Sequence, residues 1–266
     1  MQTFRPTSLE EALDLLESHP DSVILAGGTD LMVEVTYGGL RPRSVVALRH
    51  LDEIKAWEGA FIGSGVTWSR LEHGSPPALA EAARTVGSPQ IRNAGTIGGN
   101  LGTASPAGDG LPFLAAVDAE IELASKRGRR TLRWDAFLTG PKQHALEPGE
   151  LILGVRLPDR LPARQAYAKL GPRNAMVIAV ASVCVTRDED GATRVALGSV
   201  GPTPIRARHA EEMISAERRP SPAAIAEFRR LVAEEVRPIT DHRSTAEYRR
   251  HASGILAGRA LERCLA

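Results

Sequence analysis

The stretch at residues 93–109, NAGTIGGNLGTASPAGD, constrains the fold more than any other part of the chain. Five of the 25 glycines fall in it: Gly95, Gly98, Gly99, Gly102 and Gly108, with Thr96, Asn100, Thr103, Ser105 and Asp109 between and after them. Apolar content is too thin for a core helix, and no alternation marks a half-buried strand. Such a composition offers backbone N–H with little side chain in the way. A chain uses this where its backbone must approach something closely, and a phosphate is the commonest such object. A long surface loop is the plain alternative, but unstructured loops of this length are uncommon in compact domains unless they bind something.

A second diglycine lies earlier. Val23-Ile24-Leu25 suits a short buried strand, and Ala26-Gly27-Gly28-Thr29-Asp30 connects it to residues 31–37, which suit a helix ending at Gly38-Gly39. The diglycine therefore joins a strand to a helix N-terminus, with Thr29 and Asp30 as cap-type residues. Unpaired N–H groups at such an end suit an anion. The spacing is not G-x-G-x-x-G, which argues against an ordinary Rossmann site. Two such loops would suit a ligand with two phosphates, one loop on each side of the pyrophosphate with neutral N–H donors. That reading reaches a dinucleotide and stops there.

Around these loops the elements follow from pattern. Ser8-Leu9-Glu10-Glu11 is a capping box, and Leu9, Ala12, Leu13 and Leu16 predict a helix over residues 8–17. A strand at 44–48 makes residues 1–55 a small α/β unit. Further on come a strand at 61–63, helices at 67–73 and 77–85, a helical turn at 112–117, a hairpin over 119–133 and a strand at 151–157. The hairpin turns at Lys126-Arg127-Gly128-Arg129, which reads as a solvated tip. Beyond a linker at 161–164, strands are expected at 165–170, 177–187 and 194–200, and helices at 207–215, 222–236 and 244–264. Strands first and helices after predict an α+β domain with its helices on one face of a sheet.

Composition removes several function classes. A net charge of +1 and 4% aromatic residues give no basic patch or stacking platform for nucleic acid. No apolar run is long enough for a membrane span, and the N-terminus has acids and no apolar signal core, so a cytoplasmic protein is expected. Cys184 and Cys264 share no metal or redox spacing, and an iron–sulfur cluster needs about four thiolates. Nucleotide-triphosphate, zinc-protease and serine-hydrolase motifs are absent, and the seven histidines are scattered. Only four of the 33 basic residues are lysines. One of them, Lys169, reads either as electrostatic support for a phosphate or reduced cofactor, or as an exposed strand-end lysine. Asp109 reads either as an acceptor for a ribose or ribityl hydroxyl, or as a cap for the helix after it.

Three segments in order, ILAGGTDL (24–31), TIGGNLGTASPAGD (96–109) and ELILGVRLP (150–158), resemble the FAD-binding (medium) subunit of the molybdenum hydroxylases, the xanthine dehydrogenase–carbon monoxide dehydrogenase family. VGSPQIRN at 86–93 and STAEYRRH at 244–251 extend the resemblance nearly end to end. It implies a vanillyl-alcohol-oxidase-type (PCMH-type) FAD-binding domain over residues 1–160, made of two α/β subdomains (1–55 and 56–160). An α+β C-terminal domain of the carbon monoxide dehydrogenase flavoprotein type would follow over 161–266. FAD is the implied cofactor. Ile24, Leu25, Ala26, Gly27, Gly28, Thr29, Asp30 and Leu31 would wrap one side of its pyrophosphate, and Thr96, Ile97, Gly98, Gly99 and Asn100 the other. Asp109 matches the FAD-contacting aspartate, while Val86, Ile152 and Lys169 fall where members touch the flavin or adenine portion.

The resemblance also implies an oxidoreductase subunit that is not a hydroxylase alone. A molybdopterin-binding large subunit would hydroxylate the substrate, and a [2Fe-2S] small subunit would relay electrons to the FAD held here, for delivery to NAD, dioxygen or a quinone. No catalytic nucleophile, acid–base group or metal ligand is assigned. One departure stands out: Arg173-Asn174-Ala175-Met176-Val177 occupies the place where xanthine dehydrogenase-like members carry acidic residues near the isoalloxazine. It leaves the acceptor open, and leaves room for a stand-alone FAD-dependent oxidoreductase acting on a small organic substrate.

Overall fold

The computed structural model describes residues 1–74 and 76–266. Its N-terminal layer holds β1 (Gln2–Phe4), α1 (Leu9–Ser18), β2 (Val23–Leu25), α2 (Leu31–Thr36) and β3 (Ser44–Ala47). The strands form a parallel sheet in the order β1-β3-β2. Ser8 opens α1 as expected, its hydroxyl oxygen accepting the Glu11 N–H at 3.2 Å. The Glu11 carboxylate takes the Thr7 N–H at 2.8 Å, one residue before the usual box partner. Buried Ala12, Leu13 and Leu16 pack with Val46, Leu51, Leu151 and Leu153, so this layer shares a core with the next.

That next layer runs through β4 (Trp57–Glu58), β5 (Phe61–Gly63), α3 (Trp68–Leu71), α4 (Pro77–Arg84), α5 (Pro89–Ala94), α6 (Ile97–Thr103) and α7 (Leu111–Ala116). It continues with β6 (Glu120–Ser125), β7 (Gly128–Arg133), α8 (Trp134–Phe137), β8 (Leu138–Gly140), β9 (Gln143–His144) and β10 (Leu151–Arg156). An antiparallel sheet of order β4-β5-β10-β6-β7 is its backbone. The hairpin β6–β7 forms as expected, with Lys126 at its tip paired to Asp14 of α1 at 2.6 Å.

The glycine-rich stretch departs from expectation. It contains α6, seven residues long, in place of an irregular segment. Thr96 caps it by accepting the Gly99 N–H at 3.0 Å, and Ile97 and Leu101, one turn apart, are fully buried. Two apolar residues at i and i+4 suffice for a single short helix when tertiary packing supplies the rest. Gly98 lets that helix lie on residue 64, since an added Cβ would come within 2.7 Å of the Ser64 carbonyl oxygen.

The last layer comprises β11 (Arg164–Leu170), β12 (Ala181–Arg187), β13 (Thr193–Gly198), β14 (Ile205–Arg206), α9 (Arg208–Ser215), α10 (Pro222–Glu235) and α11 (Ala246–Leu265). Four strands, not three, form an antiparallel sheet in that order. β14 has two residues, too few for an alternation to be visible in sequence. β12 begins four residues later than the apolar run does, because Ile178 is exposed on the preceding turn. The layer's own helices pack on one face of this sheet, as expected, and the preceding layer covers the other. Val183, Val185, Val195 and Leu197 face α9, α10 and α11. Tyr167, Cys184 and Ala196 face the core that holds α4 and α7. β12 is accordingly buried at every residue. Among the described residues, no helix is long and apolar enough to cross a membrane.

Candidate functional site

The two glycine stretches meet. Gly27 lies so tightly against α5 that an added Cβ would overlap the Ala94 carbonyl oxygen and stand 2.9 Å from the Gly95 Cα. The Asp30 carboxylate accepts a hydrogen bond from the Thr103 hydroxyl at 2.9 Å, across 73 residues of sequence. Glu34 of α2 adds an ion pair to Lys142 at 2.6 Å. Asp30 thus occupies the N-cap position of α2 without capping it, because its side chain is turned to α6.

Their donors are arranged differently. The N–H groups of Gly27, Gly28, Thr29, Asp30 and Leu31 have no protein acceptor among the described residues. Gly28 holds φ +73°, a left-handed conformation that glycine adopts without strain. In the second stretch the expected row of free N–H groups is not there. Ile97 donates to the Val66 carbonyl at 3.1 Å, Gly98 to the Ser64 carbonyl at 2.9 Å, Gly99 to Thr96 Oγ1 and Asn100 to the Thr96 carbonyl at 3.0 Å. Two of these donors go to carbonyls that the fold brings up from residues 64 and 66, and two to the Thr96 cap of the short helix that sequence did not foretell. What this stretch presents instead is a bare backbone at Gly99, where an added Cβ meets nothing closer than Thr96 Oγ1 at 3.3 Å. Beside it stands Asn100, whose Oδ1 is buried with no partner. A run of free donors next to an orphaned buried acceptor fits a polar ligand carrying phosphate and donor groups, and the site would take a dinucleotide without any basic side chain.

Asp109 does not cap α7, whose N-cap position is Gly110. Its side chain is only 10% exposed and is held from β11. Lys169 Nζ donates to Oδ2 at 2.7 Å and to the Thr85 carbonyl at 3.0 Å, while the Tyr167 hydroxyl donates to Oδ1 at 3.3 Å. Lys169 is buried, so the exposed-lysine reading fails. Burial pushes the Asp109 carboxyl above the usual carboxylate range, and Lys169 and Tyr167 pull it back. Burial, and then the Asp109 charge, push the Tyr167 hydroxyl well above its ordinary value, so it stays a donor.

The other expected site residues are more scattered. Ile152 in β10 runs under α6, its Cδ1 3.9 Å from where a Gly102 Cβ would stand. Val86 follows Thr85 and is half-buried, its carbonyl oxygen taken by Arg92. Ile24 and Leu25 belong to β2, Ile24 facing the core of the first layer and Leu25 backing Gly28, and Ala26 leads into the turn. Residues 173–177 lie on the turn between β11 and β12, with Met176 exposed. Sequence reasoning passed over Tyr167, although a signal was available: residues i and i+2 of a strand share a face, which places it beside Lys169.

Comparison with known proteins agrees along the chain. Residues 1–160 match the family described as the FAD binding domain in molybdopterin dehydrogenase, and residues 166–264 match the CO dehydrogenase flavoprotein C-terminal domain. The nicotinate dehydrogenase FAD-subunit of Eubacterium barkeri is 38% identical over 79% of this chain and 78% of its own length. The xanthine dehydrogenase FAD-binding subunit of Escherichia coli O157:H7 is 30% identical over 98% of this chain and 95% of its own. Among solved structures, a carbon monoxide dehydrogenase chain from Hydrogenophaga pseudoflava superposes with a TM-score of 0.92 at 29% identity, covering 99% of this chain and 96% of that one.

Proposed function

This chain belongs to the family of FAD-binding subunits of molybdopterin dehydrogenases, and from that premise we propose that it takes electrons from [2Fe-2S] clusters on a partner subunit and passes them to NAD, dioxygen or a quinone. A molybdopterin-binding large subunit is the third component, and the hydroxylated substrate sits there. Bound FAD supplies the redox chemistry, linking one-electron donors to a two-electron acceptor. The chain's own residues bind and orient. The free N–H groups of Gly27 to Leu31 hold diphosphate oxygens, and Gly99 lets the ligand approach the backbone closely. Asn100 Oδ1 accepts from the ligand, and Asp109 accepts from a hydroxyl of its sugar or ribityl chain while Lys169 holds the carboxyl group from its other oxygen. Val86 and Ile152 wall the site from water. Both cysteines are unpaired and buried, in keeping with a reducing cytoplasm.

The contact of Gly27 with Ala94 and Gly95 is the observation that supports this reading best, because it makes one site of two sequence-distant stretches. Purified chain should retain one FAD, released on denaturation, and should have no hydroxylase activity until mixed with its partner subunits. A colourless protein that ignores added FAD rejects the proposal. Turnover of an organic substrate by the chain alone favours the stand-alone oxidoreductase instead.

A further inference from the structure

Tyr167 is fixed from several sides. The residue is 3% exposed and packs into the core shared with α4 and α7. Its N–H donates to Glu81 Oε2 at 2.8 Å, and its carbonyl oxygen accepts from Arg263 of α11 at 2.9 Å. Arg263 in turn pairs with Glu81, which closes a loop of contacts joining α4, β11 and α11. A phenylalanine would fill the same space. What the hydroxyl adds is a donor aimed at Asp109 Oδ1, and a buried hydroxyl is unfavourable unless it is bonded.

Lys169 and Tyr167 therefore grip Asp109 by one oxygen each. An ammonium alone acts as a point charge and leaves the carboxylate free to turn. A second donor on the other oxygen fixes the plane of the group and leaves the remaining lone pairs directed. Both donors come from the C-terminal sheet, whereas Asp109 belongs to the segment between α6 and α7. We propose that Tyr167 is a positioning residue for Asp109, through which the C-terminal sheet sets how tightly the chain holds FAD; this rests on Asp109 contacting that cofactor.

The test compares wild type with Tyr167→Phe in the full chain, titrating the apoprotein with FAD by flavin fluorescence. The Kd for FAD rises about fivefold as the Asp109 carboxylate loses its fixed plane. The unfolding midpoint of the apoprotein falls slightly, because the bond removed lies within the protein. The release rate of FAD from the protein as isolated rises by the same factor and needs no stripping of the cofactor. In an Asp109→Ala background, which leaves the hydroxyl no acceptor at that position, Tyr167→Phe causes no additional weakening. An unchanged Kd and release rate overturn the proposal, whether or not the unfolding midpoint drops. So does a full fivefold loss that persists in the Asp109→Ala background. If wild type itself ignores FAD, the functional reading falls, and this inference with it.

Discussion

Residues 27–31 leave their N–H groups free on a turn whose following helix, α2, buries no residue, whereas residues 97–100 engage theirs with Val66, Ser64 and Thr96 at the start of a helix that buries Ile97, Gly98 and Leu101. The first stretch is tied down by polar contacts, Asp30 to Thr103 and Glu34 to Lys142. The second is held by the core. Two runs of similar composition thus use glycine for different ends. In one it exposes donors; in the other it allows close packing on one side and close approach on the other. A glycine-rich motif is therefore not by itself a row of available N–H groups, and its hydrogen bonds have to be traced before it is read as an anion cradle.

Substitutions can break that contrast. Gly98→Ala should have the largest effect, since its Cβ would stand within 2.7 Å of the Ser64 carbonyl oxygen and 2.9 Å of the Ser64 Cα, in a place without room to move. A loss of about 3 kcal/mol in urea unfolding is expected, at the upper end for an overpacked core. Gly27→Ala also collides with backbone, at Ala94, which is exposed at the end of α5 and not in the core. It should part the two stretches and weaken FAD binding by roughly 30-fold, or about 2 kcal/mol, with a smaller change in unfolding. Gly99→Ala sharpens the comparison because its two effects have opposite signs. The apoprotein should gain about 0.5–1 kcal/mol of stability from better helix propensity, while FAD affinity falls several-fold as the bare surface is lost. If Gly99→Ala leaves FAD affinity untouched, that surface does not face the cofactor.

Much of the scaffold was legible because its signals are local. The Ser8 cap with apolar residues one turn apart marked α1, and alternation over residues 120–133 marked the β6–β7 hairpin. α6 was hidden because Ile97 and Leu101 carry it alone, and the cavity that receives them is built by residues far away in sequence. The diglycine stretches read as a diphosphate site, but which of them kept free donors depended on Ser64 and Val66, whose carbonyl oxygens are placed by the fold. Asp109 and Lys169 were each noticed with two possible roles. Nothing in either's neighbourhood says that they meet, 60 residues apart, across a boundary between two layers.

The account depends on one diphosphate lying between the turn at Gly27–Leu31 and the face of α6 at Gly99. Phosphorus NMR of FAD added to the apoprotein reads this directly. Both phosphorus resonances should shift and broaden relative to free FAD, with Gly28→Ala and Gly99→Ala each moving the bound signals. Bound FAD whose two resonances match those of the free cofactor, or stay in place in both variants, would contradict it.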